Sequence, residues 1–322
     1  MSKGLLKLLK SRDRVFKLVC GAGNECVEEV ERLVTIYSIA GCQIFDISAN
    51  VDILSAAKRG IERAKSFGTI SDRYICVSVG IKGDPHILKS KIDRDRCQQC
   101  GQCSYVCPND AIKNYEVLLN RCLGCGKCYR VCPAQAVEMY SVERDLEAVI
   151  PELVAGGIDC VEFHVTTESS CGILEKWEII NKNFDGVLSI CIDRMNLGNK
   201  QVLERIRLLL EKRKAFTTII QADGIPMSGS DDRYKTTLQA VAMGEIIQDA
   251  KLPVYVILSG GTNSKTVKLA DMCGIEYRGV AIGSYARKIV KPYISRDDFW
   301  SNEVVFNEAL TKAKILVKSV LG

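Results

Sequence analysis

Two hydrophobic periodicities alternate along this chain. Short β-branched and aliphatic runs at residues 15–20, 43–47, 73–79, 158–164, 186–192, 217–221, 253–258 and 277–282 read as buried strands. Between them, segments at 26–40, 51–66, 142–155, 200–214, 232–249 and 263–272 carry apolar residues at helical spacing. Gly41, Gly156-Gly157 and Gly274 stand just past three of these segments, where helix C-caps favour glycine. Eight such βα units in about 260 residues predict an α/β chain folded as a TIM-like (β/α)8 barrel. A doubly wound open sheet is the alternative.

The alternation breaks once. Residues 81–140 hold two copies of the spacing C-x2-C-x2-C-x3-C-P, Cys97-Cys100-Cys103-Cys107-Pro108 and Cys122-Cys125-Cys128-Cys132-Pro133. Three cysteines at such intervals wrap three corners of a 4Fe-4S cubane, and in a duplicated run the fourth crosses to the other cluster. The expected ligand sets are Cys97, Cys100, Cys103 and Cys132 for the first cluster, and Cys122, Cys125, Cys128 and Cys107 for the second. A disulfide framework suits a chain of this length poorly, and zinc sites pair CxxC elements differently. The break follows the third strand, so the expected organisation is a discontinuous barrel over 1–80 and 141–322 with a two-cluster ferredoxin module inserted at 81–140. An insertion on that βα loop places the clusters over the barrel mouth, the face on which such folds build sites.

Composition adds bounds. The chain has 322 residues, 47% hydrophobic and 26% charged, with a net charge of +5. That balance does not indicate nucleic-acid binding, and no apolar run is long enough for a membrane helix. Sixteen cysteines, with cluster candidates only half of them, suit a reducing interior, so a cytoplasmic location is expected. At the N-terminus, Lys3, Lys7, Lys10, Arg12 and Arg14 surround Leu5, Leu6, Leu8 and Leu9. This segment is expected to close the bottom of a domain, the other use being a helix lying on a membrane.

Candidate chemistry gathers at the carboxyl ends of the strands. Ser259-Gly260-Gly261-Thr262-Asn263-Ser264-Lys265 follows the seventh strand and Gly283-Ser284-Tyr285-Ala286-Arg287 the eighth, the usual phosphate position of these barrels. Gly260, Gly261, Ser264, Gly283, Ser284 and Arg287 are the candidate ligand-binding residues, with Lys265 beside them. Asp46, Asn50, Glu162, His164, Asp193, Arg194, Gln221 and Asp223 lie at other strand ends. His164 is one of two histidines, the other being His86 at the edge of the insert. Lys17, Asp46, His164 and Asp223 are the candidates for proton transfer, although Lys17 can equally belong to a salt-bridged layer and His164 to a structural one.

These pieces together resemble the light-dependent period (LdpA) family of iron-sulfur proteins, known from cyanobacteria and related to the input side of the circadian clock. The matching residues are Phe16-Lys17-Leu18-Val19-Cys20-Gly21-Ala22, the double cysteine run, and Gln221-Ala222-Asp223-Gly224-Ile225-Pro226-Met227-Ser228-Gly229. Leu258-Ser259-Gly260-Gly261-Thr262-Asn263 and Gly283-Ser284-Tyr285-Ala286-Arg287 complete the likeness. The resemblance implies redox-active clusters that report cellular redox state.

Three functions follow as expectations. The chain senses redox state or carries electrons, taking them from a ferredoxin- or flavodoxin-like donor and acting on a protein partner. In the alternative the mouth holds FMN or a phosphorylated substrate, and the clusters feed electrons to it. In the third the clusters only stabilise the insert.

Overall fold

The apolar runs become eight parallel strands, Val15–Val19, Ile44–Ser48, Tyr74–Val79, Cys160–His164, Val187–Ile192, Thr218–Asp223, Tyr255–Ser259 and Gly279–Ile282. Each pairs with its neighbour in chain order, and Val15 opposite Gly279 joins the last to the first. The sheet is therefore a closed barrel, as the spacing of the runs predicts, and not an open doubly wound sheet. The computed structural model describes residues 3–82, 84–166, 170–225 and 231–322. The Pro226-Met227-Ser228-Gly229 part of the family-like block lies outside them.

Helices follow the strands where the 3.6-residue pattern predicts them. Val27–Ala40 ends at Gly41 in the left-handed conformation, and Val51–Lys65 begins at Asn50, whose side chain accepts from the backbone N–H of Asp52 at 2.8 Å. Asn50 is thus a helix cap, which explains a polar residue at that strand end without a ligand. Arg194 is likewise structural, donating to Asn199 and Gln239.

The first helix, Lys3–Lys10, settles the use of the basic N-terminal segment. Leu5, Leu6 and Leu9 are buried against Ile44, Val187, Ile219 and Ile257 inside the lower end of the barrel, while Lys3, Lys7 and Lys10 face outward. The helix closes the barrel floor, each buried leucine contributing on the order of 2 kcal/mol. Among the described residues, no helix is long and apolar enough to cross a membrane.

Between the third and fourth barrel strands the chain forms two small antiparallel ribbons. Leu88–Ile92 pairs with Val137–Ser141, and Ile112–Lys113 with Glu116–Val117. The first ribbon brings the start and end of the cysteine-rich segment side by side. Short helices, Gln102–Tyr105 and Lys127–Val131, begin at Gly101 and Gly126, both with positive φ.

Candidate functional site at the barrel mouth

The eight cysteines of the double run separate into two groups in space. Cys97, Cys100, Cys103 and Cys132 line one small cavity, and Cys107, Cys122, Cys125 and Cys128 line another. Each group takes three cysteines from one run and the fourth from the other. The duplication extends to hydrogen bonding, because the backbone N–H of Ala111 donates to Cys107 Sγ and that of Ala136 to Cys132 Sγ, both at 3.2 Å. Such donors stabilise charge on sulfur.

The cysteine segment rests on the barrel. Lys89 Nζ donates to the carbonyl of Gly23, in the loop after the first strand, at 2.7 Å. Lys291, on the helix Ser284–Ile294, pairs with Asp110 at 2.7 Å and also donates to the Pro108 carbonyl. Beneath this contact lies a cavity of about 430 Å³. Cys107, Pro108, Asn109, Leu123, Cys125 and Lys127 belong to its wall and to that of the second cysteine cavity.

Within the barrel, Lys17 is the hub of a buried polar layer. Its Nζ lies 2.9 Å from Asp46 Oδ2 and 2.5 Å from Glu162 Oε2, and donates to Gln221 Oε1 at 2.8 Å. Gln221 and Ser189 donate to Glu162, each at 2.8 Å, and Ser78 donates to Asp46 at 2.5 Å. Burial works against the Lys17 ammonium, yet Asp46 and the other anions outweigh it and raise its pKa. Burial also opposes the Glu162 carboxylate, but Lys17 and His164 hold it below its ordinary range. For Asp46 burial prevails over Lys17 and pushes the pKa up to about 6. Lys17 projects into the barrel, and the salt-bridged layer is what its contacts describe.

Above this layer stand His164, His86 and Asp84. His86 Nδ1 is 2.8 Å from Asp84 Oδ1, while His164 lies 3.4 Å from both Asp84 and Glu162. Burial disfavours the charged imidazole of His164, but Asp84 and Glu162 raise its pKa well above the ordinary histidine value. Asp223, on the sixth strand, takes the Cys191 thiol as donor at 3.4 Å. Burial raises its pKa, and raises that of neighbouring Asp193 to about 6. Asp46, His164 and Asp223 all border the cavity, whereas Asp84 and Lys17 stand behind its wall.

Gly260, Gly261, Gly283, Ser284 and Arg287 reach the cavity from the seventh and eighth strands. Gly260 has φ +70°, and a Cβ there would lie 1.7 Å from Asp223 Oδ1, so no other residue fits this turn. Ser264 departs from expectation: it donates to Asp232 at 2.6 Å and is not part of the cavity wall. The turn at 262–263 redirects the chain, since Asn263 bonds the carbonyls of Asp231 and Arg233, and Lys265 follows it toward Asp232. Arg287 borders the cavity and donates to the Val19 carbonyl at 2.6 Å.

Asp84 carried no expectation from the sequence, and Glu162 was placed only as a strand-end polar group. The legible signal was Asp84-Pro85-His86, in which the His86 backbone N–H donates to Asp84 Oδ1 at 2.9 Å, a local turn that sets both side chains on one side.

Known proteins bear on this site in two ways. The barrel resembles a solved tryptophan synthase chain from M. tuberculosis, TM-score 0.53 and 9% identity, covering 99% of this chain and 98% of that one, a likeness of fold alone. In sequence, the LdpA Fe-S cluster-binding domain matches residues 97–143, and the light dependent period A C-terminal domain matches residues 152–319. Light dependent period A of Synechococcus elongatus is 30% identical over 283 residues, spanning 84% of this chain and 80% of that protein. The chain is an iron-sulfur protein and belongs to the light dependent period A family.

Proposed function

We propose that this protein carries two 4Fe-4S clusters and acts as a redox sensor or electron-transfer protein. The first cluster is held by Cys97, Cys100, Cys103 and Cys132, the second by Cys122, Cys125, Cys128 and Cys107, within a module at 81–140 set into a barrel formed by 1–80 and 141–322. The observation that carries this reading is the wall shared by the second cysteine cavity and the barrel mouth, to which Cys107 and Cys125 both belong. Electrons enter at the first cluster, where Cys100 is exposed to a ferredoxin- or flavodoxin-like donor or a regulatory protein. They reach the second cluster, whose charge is felt by whatever occupies the mouth.

A second reading has one observation in its favour. Gly261, Gly283, Ser284 and Arg287 border the same cavity, which supports a phosphate-bearing ligand such as FMN with the clusters as its electron source. Asp46, His164 and Asp223 would then be the groups able to exchange protons with it, with Lys17 setting the charge of Asp46.

Anaerobically purified full-length protein tests both readings. Two clusters require about eight irons and eight sulfides per chain, and four or fewer irons refute the pair. FMN released on denaturing fully loaded protein favours the second reading, and its absence there favours the sensor.

A further inference from the structure

The two histidines of the chain meet at one edge of the barrel mouth, ring centroids 4.1 Å apart and edge to face. Asp84 lies against both, Oδ1 at 2.8 Å from His86 Nδ1 and Oδ2 at 3.4 Å from His164 Nδ1. One ligand atom from each of the three residues falls within 4.8 Å of the others. We propose that Asp84, His86 and His164 bind one divalent first-row transition-metal ion, with Glu162 orienting His164 from behind.

Unpartnered buried atoms are the first support. Asp84 is 0% and His164 4% exposed, yet Asp84 Oδ2 and both ring nitrogens of His164 make no well-formed hydrogen bond among the described residues and meet only ion-pair partners at 3.4 Å, each other and Glu162. Buried polar atoms are rarely left so. A cation about 2.0–2.2 Å from each ligand atom gives Asp84 and His164 a shared partner after only a small closing movement.

Glu162 supplies the second. Its Oε1 lies 3.4 Å from His164 Nε2, the ring nitrogen turned away from Asp84. A carboxylate behind a metal-bound imidazole fixes its tautomer and ring orientation.

Charge supplies the third. Asp84, Glu162, Asp193 and Asp223 are all at most 3% exposed around the two rings, and Asp223 Oδ1 has no hydrogen-bond partner among the described residues. The buried ammonium nearby, Lys17, is already divided between Asp46 and Glu162. Buried carboxylates in such number favour a cation beside them, a place the His164 imidazolium takes without metal and a divalent ion takes when the ring binds it in neutral form. Room for the Asp84 carboxylate depends on Gly80, where a Cβ would sit 2.0 Å from Oδ2.

The placement makes this an open site. His86 and His164 border the cavity and Asp84 stands behind them, so free coordination positions face the cavity and suit an oxygen donor. Asp84 and His86 lie on the connection from the third strand to the fourth and His164 ends the fourth, across the ring from the glycine loops of the seventh and eighth.

Co²⁺ is the probe. Cluster-loaded full-length protein is equilibrated anaerobically with Co²⁺, desalted, and analysed for cobalt, iron and sulfide. The expected result is about one cobalt per chain with iron and sulfide unchanged. His86→Ala, at a half-buried position of the short 3-10 turn Pro85–Ile87, should keep iron and sulfide and lose the cobalt, and Glu162→Gln should weaken retention about 10- to 100-fold. Cys273→Ser, which removes an exposed thiol, should retain it fully. Zinc or manganese already present on purification counts for the site if His86→Ala removes it. Equal cobalt in wild type and His86→Ala, or none in wild type free of other non-cluster metal, overturns the proposal, while the iron and sulfide counts report on the clusters separately.

Discussion

The ammonium of Lys89 donates a 2.8 Å hydrogen bond to the carbonyl oxygen of Cys122. The same nitrogen serves the carbonyls of Gly23 and Leu119, so one buried cation joins the first barrel loop to the start of the second cysteine run. Burial lowers its pKa, the cost of holding it there. Lys89→Met should therefore strand three carbonyls and destabilise the docked segment by about 2 kcal/mol, measured by anaerobic urea unfolding. It should also lower the reduction potential of the second cluster, since a nearby cation favours the reduced, more negative state, and leave the first in place. Voltammetry showing both potentials unmoved would contradict this.

Lys17→Met leaves Asp46 and Glu162 buried without their cation. A loss of about 3–5 kcal/mol in unfolding free energy is expected, part of which the double variant with Asp46→Asn should restore. Additive losses in the double variant would mean that the three side chains do not act as a unit.

A pH dependence follows from Asp46. Its carboxyl titrates at about 6 when folded, chiefly through burial, against 3.8 for the free group. The folded chain thus holds this proton more tightly, and the stability so gained is complete below 3.8 and lost as pH rises through about 6. Wild type measured against Asp46→Asn should become less stable by about 1 kcal/mol between roughly pH 5 and pH 7.5. An unchanged difference across that window would place the titration elsewhere.

Paired cysteine substitutions separate crossed from uncrossed ligation. With crossed sets, Cys103→Ala with Cys132→Ala damages one cluster and leaves about four irons, whereas Cys103→Ala with Cys107→Ala damages both. The reverse pattern in iron and sulfide content would mean that each run keeps its own cluster.

Much of this was legible in the sequence because barrel strands are short, apolar and separated by glycine-capped helices, and because the cysteine spacing is that of an iron-sulfur-binding segment. Leu5 and Leu9 likewise announce a buried helix face beside exposed lysines. Ser264 misled, since proximity to Gly260 and Gly261 in sequence says nothing of the turn at Asn263 that carries it to Asp232. Asp84 was legible only as a turn partner of His86, not as a neighbour of His164. It reaches His164 only because the third strand pairs with the fourth after the whole cysteine segment has intervened, and closure over that distance leaves no local pattern.

The floor helix Lys3–Lys10 fills the lower end of the barrel and leaves the cavity at the opposite end. That cavity is framed in part by the turn at residues 107–109 of the cysteine segment. With a second cluster bound as proposed, its assembly or loss would act on that frame, and the residence time of a bound molecule and the metal content of the chain would become one coupled quantity.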